Sequence, residues 1–141
     1  MNEAELSTSL RESVSGLHKR LRKQSPAVKS YSMTERETIS HLFRTGPLLP
    51  TELAALTRIK TQSMSQILKK FEEEAIIKRT PSKEDKRKVY ISLTASGKKI
   101  VEKARYELDE WLQDAIEKNL SSHEKELLTK VLPVLNKLIQ S

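Results

Sequence analysis

Cysteine is absent from the 141 residues, glycine occurs three times, and aromatic side chains make up 4%. The first absence excludes disulfides, thiolate metal sites and cysteine-based peroxide sensing. So few glycines leave no Gly-rich phosphate cradle and argue against long loops. So few aromatics require a core of Leu, Ile, Val, Ala and Met. Among these, and among the many charged residues, side chains not branched at Cβ lose little rotamer freedom in a helix, so a mainly helical protein is expected. No apolar run approaches the roughly 20 residues needed to span a bilayer. The opening MNEAELSTSL lacks the basic start and apolar centre of a signal peptide. A soluble, cytoplasmic, single-domain protein without a membrane partner is expected.

Catalytic signatures are missing as well. His18, His41 and His123 lie far apart on different predicted helices. No H-E-x-x-H, P-loop or G-x-S-x-G occurs, and Glu72–Glu74 reads as solvated helix surface. The expectation is no enzyme, no metal and no cofactor.

The charge is unevenly placed. The chain carries 26 Lys/Arg against 19 Asp/Glu. Residues 58–90 hold ten basic and five acidic residues, whereas residues 101–141 hold six and eight. A basic middle beside a mildly acidic end points to a localised anionic partner.

Periodicity divides the chain into helices around one hairpin. Leu6, Leu10, Val14, Leu17 and Leu21 form one apolar stripe over 4–25, and Pro26 ends it. A helix starts near Thr34, where Thr34/Glu37 and Ser32/Glu35 offer alternative capping boxes; Gly46 and Pro47 stop it. A short helix follows from Pro50 to Leu56, with Leu53 and Leu56 inward. Thr61–Glu74 places Met64, Ile67, Leu68 and Phe71 on one face. The period then changes. Ile76–Thr80 and 88–93, where Val89, Ile91 and Leu93 alternate with polar residues, read as strands flanking the polar turn Pro81–Arg87. Thr94 caps a helix over 95–119, and Ser121/Glu124 a last one. Pro133 predicts a kink or break there.

Two short helices with a tight connection, followed by a basic hairpin, form a helix-turn-helix with a wing. The second helix is of a size that fits the DNA major groove. Its outer face carries Thr61, Gln62, Ser63, Ser65, Gln66, Lys69 and Lys70 with few acids. Gln and Ser suit bases or phosphates, and Lys attracts phosphates. Lys83, Lys86, Arg87 and Lys88 cluster at the hairpin tip, where they reach the DNA backbone or the minor groove.

The stretch Asp85-Lys86-Arg87-Lys88-Val89-Tyr90-Ile91-Ser92-Leu93-Thr94-Ala95-Ser96-Gly97 resembles the wing signature of the MarR family. Asp-x-Arg there precedes a strand and Leu-Thr-x-x-Gly. Thr51-Glu52-Leu53-Ala54 resembles the start of that family's helix-turn-helix, and the element order agrees over nearly the whole chain. The resemblance implies a mainly α fold with a small β-hairpin wing, in which 31–97 form the winged helix-turn-helix and 1–30 with 98–141 the helical dimerisation region. It implies that Arg87 enters the minor groove and that Asp85 holds it. It also implies a homodimer through terminal helices bearing Leu6, Leu10, Leu17, Leu128, Leu132, Leu135 and Leu138, binding a pseudo-palindromic operator in double-stranded DNA. Repression is that family's common mode. A small aromatic or lipophilic effector that weakens DNA binding is implied on the same ground. A winged-helix docking module for proteins, without specific DNA binding, is the competing reading; the basic wing argues against it. One departure stands out. Where the family often has glycine after the recognition helix, this chain has Ala75, so either a left-handed alanine or a different helix end is expected.

Overall fold

The computed structural model describes residues 1–141. The elements run α1 (Glu3–Arg22), α2 (Pro26–Ser30), α3 (Met33–Thr45), α4 (Pro50–Thr57), α5 (Thr61–Glu73), β1 (Ile77–Pro81), β2 (Val89–Leu93), α6 (Ala95–Asn119) and α7 (Ser122–Ile139). The strands pair antiparallel with Ile77 opposite Leu93 and Pro81 opposite Val89. Leu48 adds one further bridge, exchanging two backbone hydrogen bonds with Ile91 at 3.0 and 2.8 Å.

Caps set most helix boundaries. Asn2 Oδ1 accepts from the Glu5 N–H at 2.8 Å, and Glu5 returns the bond to the Asn2 N–H. α1 ends at Arg22, four residues before Pro26. Pro26 does not stop this helix but starts α2, at a first position where its missing N–H would have no helical partner. Of the two boxes available to α3, the Ser32/Glu35 register forms. Thr34 lies inside the helix, where its carbonyl accepts from the Thr38 hydroxyl at 2.8 Å. Thr94 and Ser121 cap α6 and α7 as expected. α7 runs unbroken through Pro133. The proline removes one i→i−4 bond, and the carbonyl it frees belongs to the exposed Thr129.

One core fills the middle of the chain. Leu53, Met64, Leu68, Phe71 and Ile91 are completely buried, with Leu42, Ile76, Ile77 and Leu93 nearly so. These side chains come from α3, α4, α5, the turn after α5, and the hairpin. Ile67 is half-buried at the edge of the α5 stripe. Leu56 differs from expectation: it is 49% exposed on the outer side of α4. α4 is only two turns long, and Leu53, Ala54 and Thr57 already occupy its inward face.

The terminal helices contrast sharply with this centre. Neither α1 nor α7 buries a single residue within the chain, and α6 buries only Gly97. Leu6, Val14, Leu17, Leu127, Leu128, Val131, Leu132 and Leu138 are all between 41% and 56% exposed. Leu10 and Leu135 are half-buried.

Candidate nucleic-acid interface

α5 is anchored by Met64, Leu68 and Phe71 on its inner face. That anchoring turns the opposite face outward. Thr61, Gln62, Ser63, Ser65, Gln66, Lys69 and Lys70 are all exposed. The first turn of α5 contains no acid, and its N-cap, Lys60, supplies no side-chain cap. The N-terminal N–H groups and the positive end of the helix dipole therefore face solvent uncompensated.

Lys70 differs from its neighbours. Its ammonium lies 2.7 Å from Glu35 Oε2 and 5.5 Å from the Tyr31 ring centre. The bond to Glu35 raises the Lys70 pKa. Burial pushes the Glu35 carboxyl upward, but the bonds from Lys70 and Ser32 outweigh it and hold the group below its usual value. Lys70 therefore ties α5 to α3, while Lys69 forms no salt bridge.

The turn from α4 to α5 is built on a left-handed residue, Arg58, at φ 57°. The N–H groups of Arg58 and Ile59 bond back to the carbonyls of Ala55 and Ala54 at 3.3 and 3.1 Å. This closes α4 in a Schellman motif.

A second left-handed residue orients the wing. Ala75 has φ 59°, so of the two alternatives the left-handed alanine is the one realised. Its N–H reaches the Glu72 carbonyl at 3.0 Å, and the Ile76 N–H reaches the Phe71 carbonyl at 2.9 Å. That is the Schellman pattern, and the two apolar residues at its ends, Phe71 and Ile76, are both buried in the core. Thr94 then locks the turn. Its hydroxyl donates to the Ala75 carbonyl at 2.6 Å and accepts from the Gly97 N–H at 3.0 Å. Its own N–H bonds the Ile76 carbonyl at 2.9 Å. A side chain on Gly97 would run into that same Ile76 carbonyl. The Leu-Thr-x-x-Gly pattern is thus a knot joining the end of α5, the hairpin and the start of α6. Because β1 begins immediately after Ile76, the knot sets the angle between α5 and the wing.

Left-handed geometry costs a non-glycine residue about 1 kcal/mol or more. Ala75→Gly is therefore expected to raise stability by about 0.5–1 kcal/mol, less than the full strain because glycine also loosens the unfolded chain. Urea unfolding followed by circular dichroism checks this; a lowered midpoint would contradict it.

The wing tip is ordered by its own polar groups. Ser82 Oγ accepts from the N–H groups of Glu84 and Asp85, both at 3.3 Å. The Ser82 N–H bonds the Lys88 carbonyl at 2.8 Å. Asp85 Oδ1 accepts from the Arg87 N–H at 3.1 Å and from its Nε at 3.2 Å, while Oδ2 meets an Arg87 Nη at 3.3 Å. These Arg87 bonds, the side-chain ones first, hold the Asp85 carboxyl below its usual value. The Arg87 side chain is still 91% exposed. Lys83, Lys86 and Lys88 are exposed beside it. At the other end of the hairpin, Arg79 Nε donates to Glu72 Oε2 at 3.0 Å, tying β1 to α5. The roles of Ser82 and of the Leu48 bridge carry no periodic signal, and sequence patterning missed them.

A helix-turn-helix with an ordered basic hairpin defines a winged-helix DNA-binding fold. The chain belongs to the MarR family of transcriptional regulators, whose sequence model matches residues 33–88. It is 31% identical over 115 residues to the HTH-type transcriptional regulator FarR of Neisseria gonorrhoeae, covering 80% of this chain and 78% of that protein. It is similar in structure to a transcriptional regulator of Pseudomonas aeruginosa, with a TM-score of 0.81 and 26% identity over 99% of this chain and 96% of the other. It also superposes on a variant of Staphylococcus aureus MepR bound to an oligodeoxyribonucleotide, with a TM-score of 0.71 and 20% identity over 95% and 97% of the two chains. Such proteins are regulators and not enzymes.

Proposed function

We propose that this protein is a homodimeric repressor that binds a pseudo-palindromic operator in double-stranded DNA and is released by a small effector. The observation that carries the reading is the paired exposure of two surfaces. One is the polar outer face of α5, from Thr61 to Lys69. The other is Arg87, extended from the wing while Asp85 fixes its base. Seated in a major groove, α5 presents Gln62, Ser63, Ser65 and Gln66 to base edges. Arg87 then meets the flanking minor groove, whose potential is most negative where it is narrow. Lys69, Lys83, Lys86 and Lys88 contact phosphates. On this reading 31–97 form the DNA-binding part, and 1–30 with 98–141 the dimerisation part. The oligodeoxyribonucleotide bound to the MepR variant, which shares this fold, supports DNA as the partner.

The unburied aliphatic stripes of α1 and α7 support the dimer. A symmetric pairing that covers them places two copies of α5 on one side, about one helical turn of DNA apart. A cavity between α2, α3 and α6, lined mostly by apolar side chains, is a seat for the effector.

Selection of bound sequences from a random duplex pool tests the assignment. An inverted repeat is expected, and affinity for it should fall steeply with salt as counterions are released. Arg87→Ala should weaken binding roughly tenfold without changing stability, and Gln66→Ala should relax base preference more than it reduces nonspecific affinity. A winged module that docks proteins would retain no duplex at any salt concentration, and that result would refute the proposal.

A further inference from the structure

The turn Arg58-Ile59-Lys60 between α4 and α5 departs from local preference twice within three residues. Arg58 holds a left-handed backbone, φ 57° and ψ 41°, in which a Cβ crowds the following carbonyl and glycine is the residue free of the penalty. Lys60 is the N-cap of α5. That position favours Ser, Thr, Asp or Asn, whose side-chain oxygen accepts from a free N–H of the first turn. An ammonium accepts nothing, and it meets the positive end of the helix dipole. No acid in the first turn of α5 offsets it.

Both residues are cations, both are exposed, and neither belongs to a salt bridge. Between them Ile59 is half-buried and packs against the core. The N–H groups of Arg58 and Ile59 close α4, and the Lys60 carbonyl accepts from the Met64 N–H at 3.0 Å. The turn is therefore fixed on both sides. It holds the two cations at the entry of α5, immediately before Thr61 and Gln62. Glycine at 58 and serine at 60 would suit this backbone better, and no carboxylate of the chain pairs with the arginine or the lysine. Residues that break a local rule persist where function uses them, and what two exposed, unpaired cations can use is an anion from outside the chain.

We infer that Arg58 and Lys60 grip DNA phosphates beside the groove that α5 enters, and that the chain keeps them there although they make its fold less stable. The inference rests on the DNA reading above and adds to that interface two residues outside both the recognition face and the wing. Phosphates line both edges of a groove, and Lys60 adjoins the residues seated in it. Contacts to phosphate carry no sequence information, so the pair strengthens binding to every duplex alike and fixes where the first turn of α5 sits.

Stability and DNA binding are measured on the same full-length variants, and they should move in opposite directions. Arg58→Gly removes the left-handed penalty, and Lys60→Ser supplies a cap, so each is expected to raise the urea midpoint by about 0.3 M. Each should also weaken binding to a duplex of arbitrary sequence about three- to tenfold. The slope of log affinity against log salt should shrink by about 0.9 for every phosphate contact removed. The sequence selected from a random duplex pool should stay the same in both variants. Unchanged affinity and salt slope in both would overturn the inference. So would a midpoint that rises in neither, or a change in the selected sequence, which would make these residues readers of bases. Arg87→Ala, measured alongside, separates the two levels of the reading. If it weakens binding while the changes at 58 and 60 do not, the proposed function stands and this inference alone falls; an unmodified protein that retains no duplex refutes both.

Discussion

Replacing Gly97 by alanine is expected to destabilise the fold by about 2–3 kcal/mol, because the added carbon meets backbone that cannot retreat. The obstacle is the Ile76 carbonyl, which already accepts from the Thr94 N–H in the knot between α5 and α6. Relief requires α6 to move off the turn, which breaks the bonds of Thr94 to Ala75 and Gly97. DNA affinity should fall beyond what the lost stability explains, since the same knot sets the angle of the wing. Gly16 is the internal control. It lies in α1 with nothing within 4 Å of an added side chain, so Gly16→Ala should stabilise by up to about 1 kcal/mol through helix propensity alone. Chemical denaturation of the two variants decides the matter, and a harmless Gly97→Ala would show that the turn does not constrain the packing.

Placing lysines at Leu128 and Leu132 is expected to convert the protein to a monomer and to lower operator affinity by about a hundredfold or more. The reason is the distribution of burial. α7 hides no residue within its own chain, yet carries Leu127, Leu128, Val131, Leu132 and Leu138 at 41% to 56% exposure. An apolar face of this kind is costly in water, and the proposed symmetric pair would cover it. Once one protomer is bound, the second half-site is reached at high effective concentration, and that gain is lost with the dimer. The core from Ile39 to Leu93 does not involve α7, so helix content and the protection of core amides should persist. Analytical ultracentrifugation with duplex titration gives the answer. A dimer that survives both lysines, or a monomer that binds as tightly, would locate the association surface elsewhere.

Elements with a strong period were legible from the residues themselves. Met64, Leu68 and Phe71 recur at helical spacing and are all completely buried. The alternation of Val89, Ile91 and Leu93 placed β2 within one residue of its observed bounds. Short or non-periodic features were not legible. α2 spans five residues, too few for a stripe. Both the Ser32 and the Thr34 boxes satisfied the local pattern, and the structure shows Ser32 as the cap. Leu56 reads as apolar and inward, yet a two-turn helix has room for only one inward row. Lys70 reads as one more basic residue on an exposed face; its pairing with Glu35, 35 positions earlier, depends on the first turn of α3 lying beside the last turn of α5.

Composition and periodicity, read without coordinates, determined that this is a mainly helical chain with one basic hairpin and a polar, cation-bearing helix before it, because local propensity and the burial of apolar stripes depend on near neighbours. Tertiary structure alone decided that Ala75 is left-handed and locked by Thr94, that Leu48 bridges to Ile91, and that Lys70 pairs with Glu35. Each of these depends on which distant backbone or side chain closes against it, and such contacts leave no repeat along the chain.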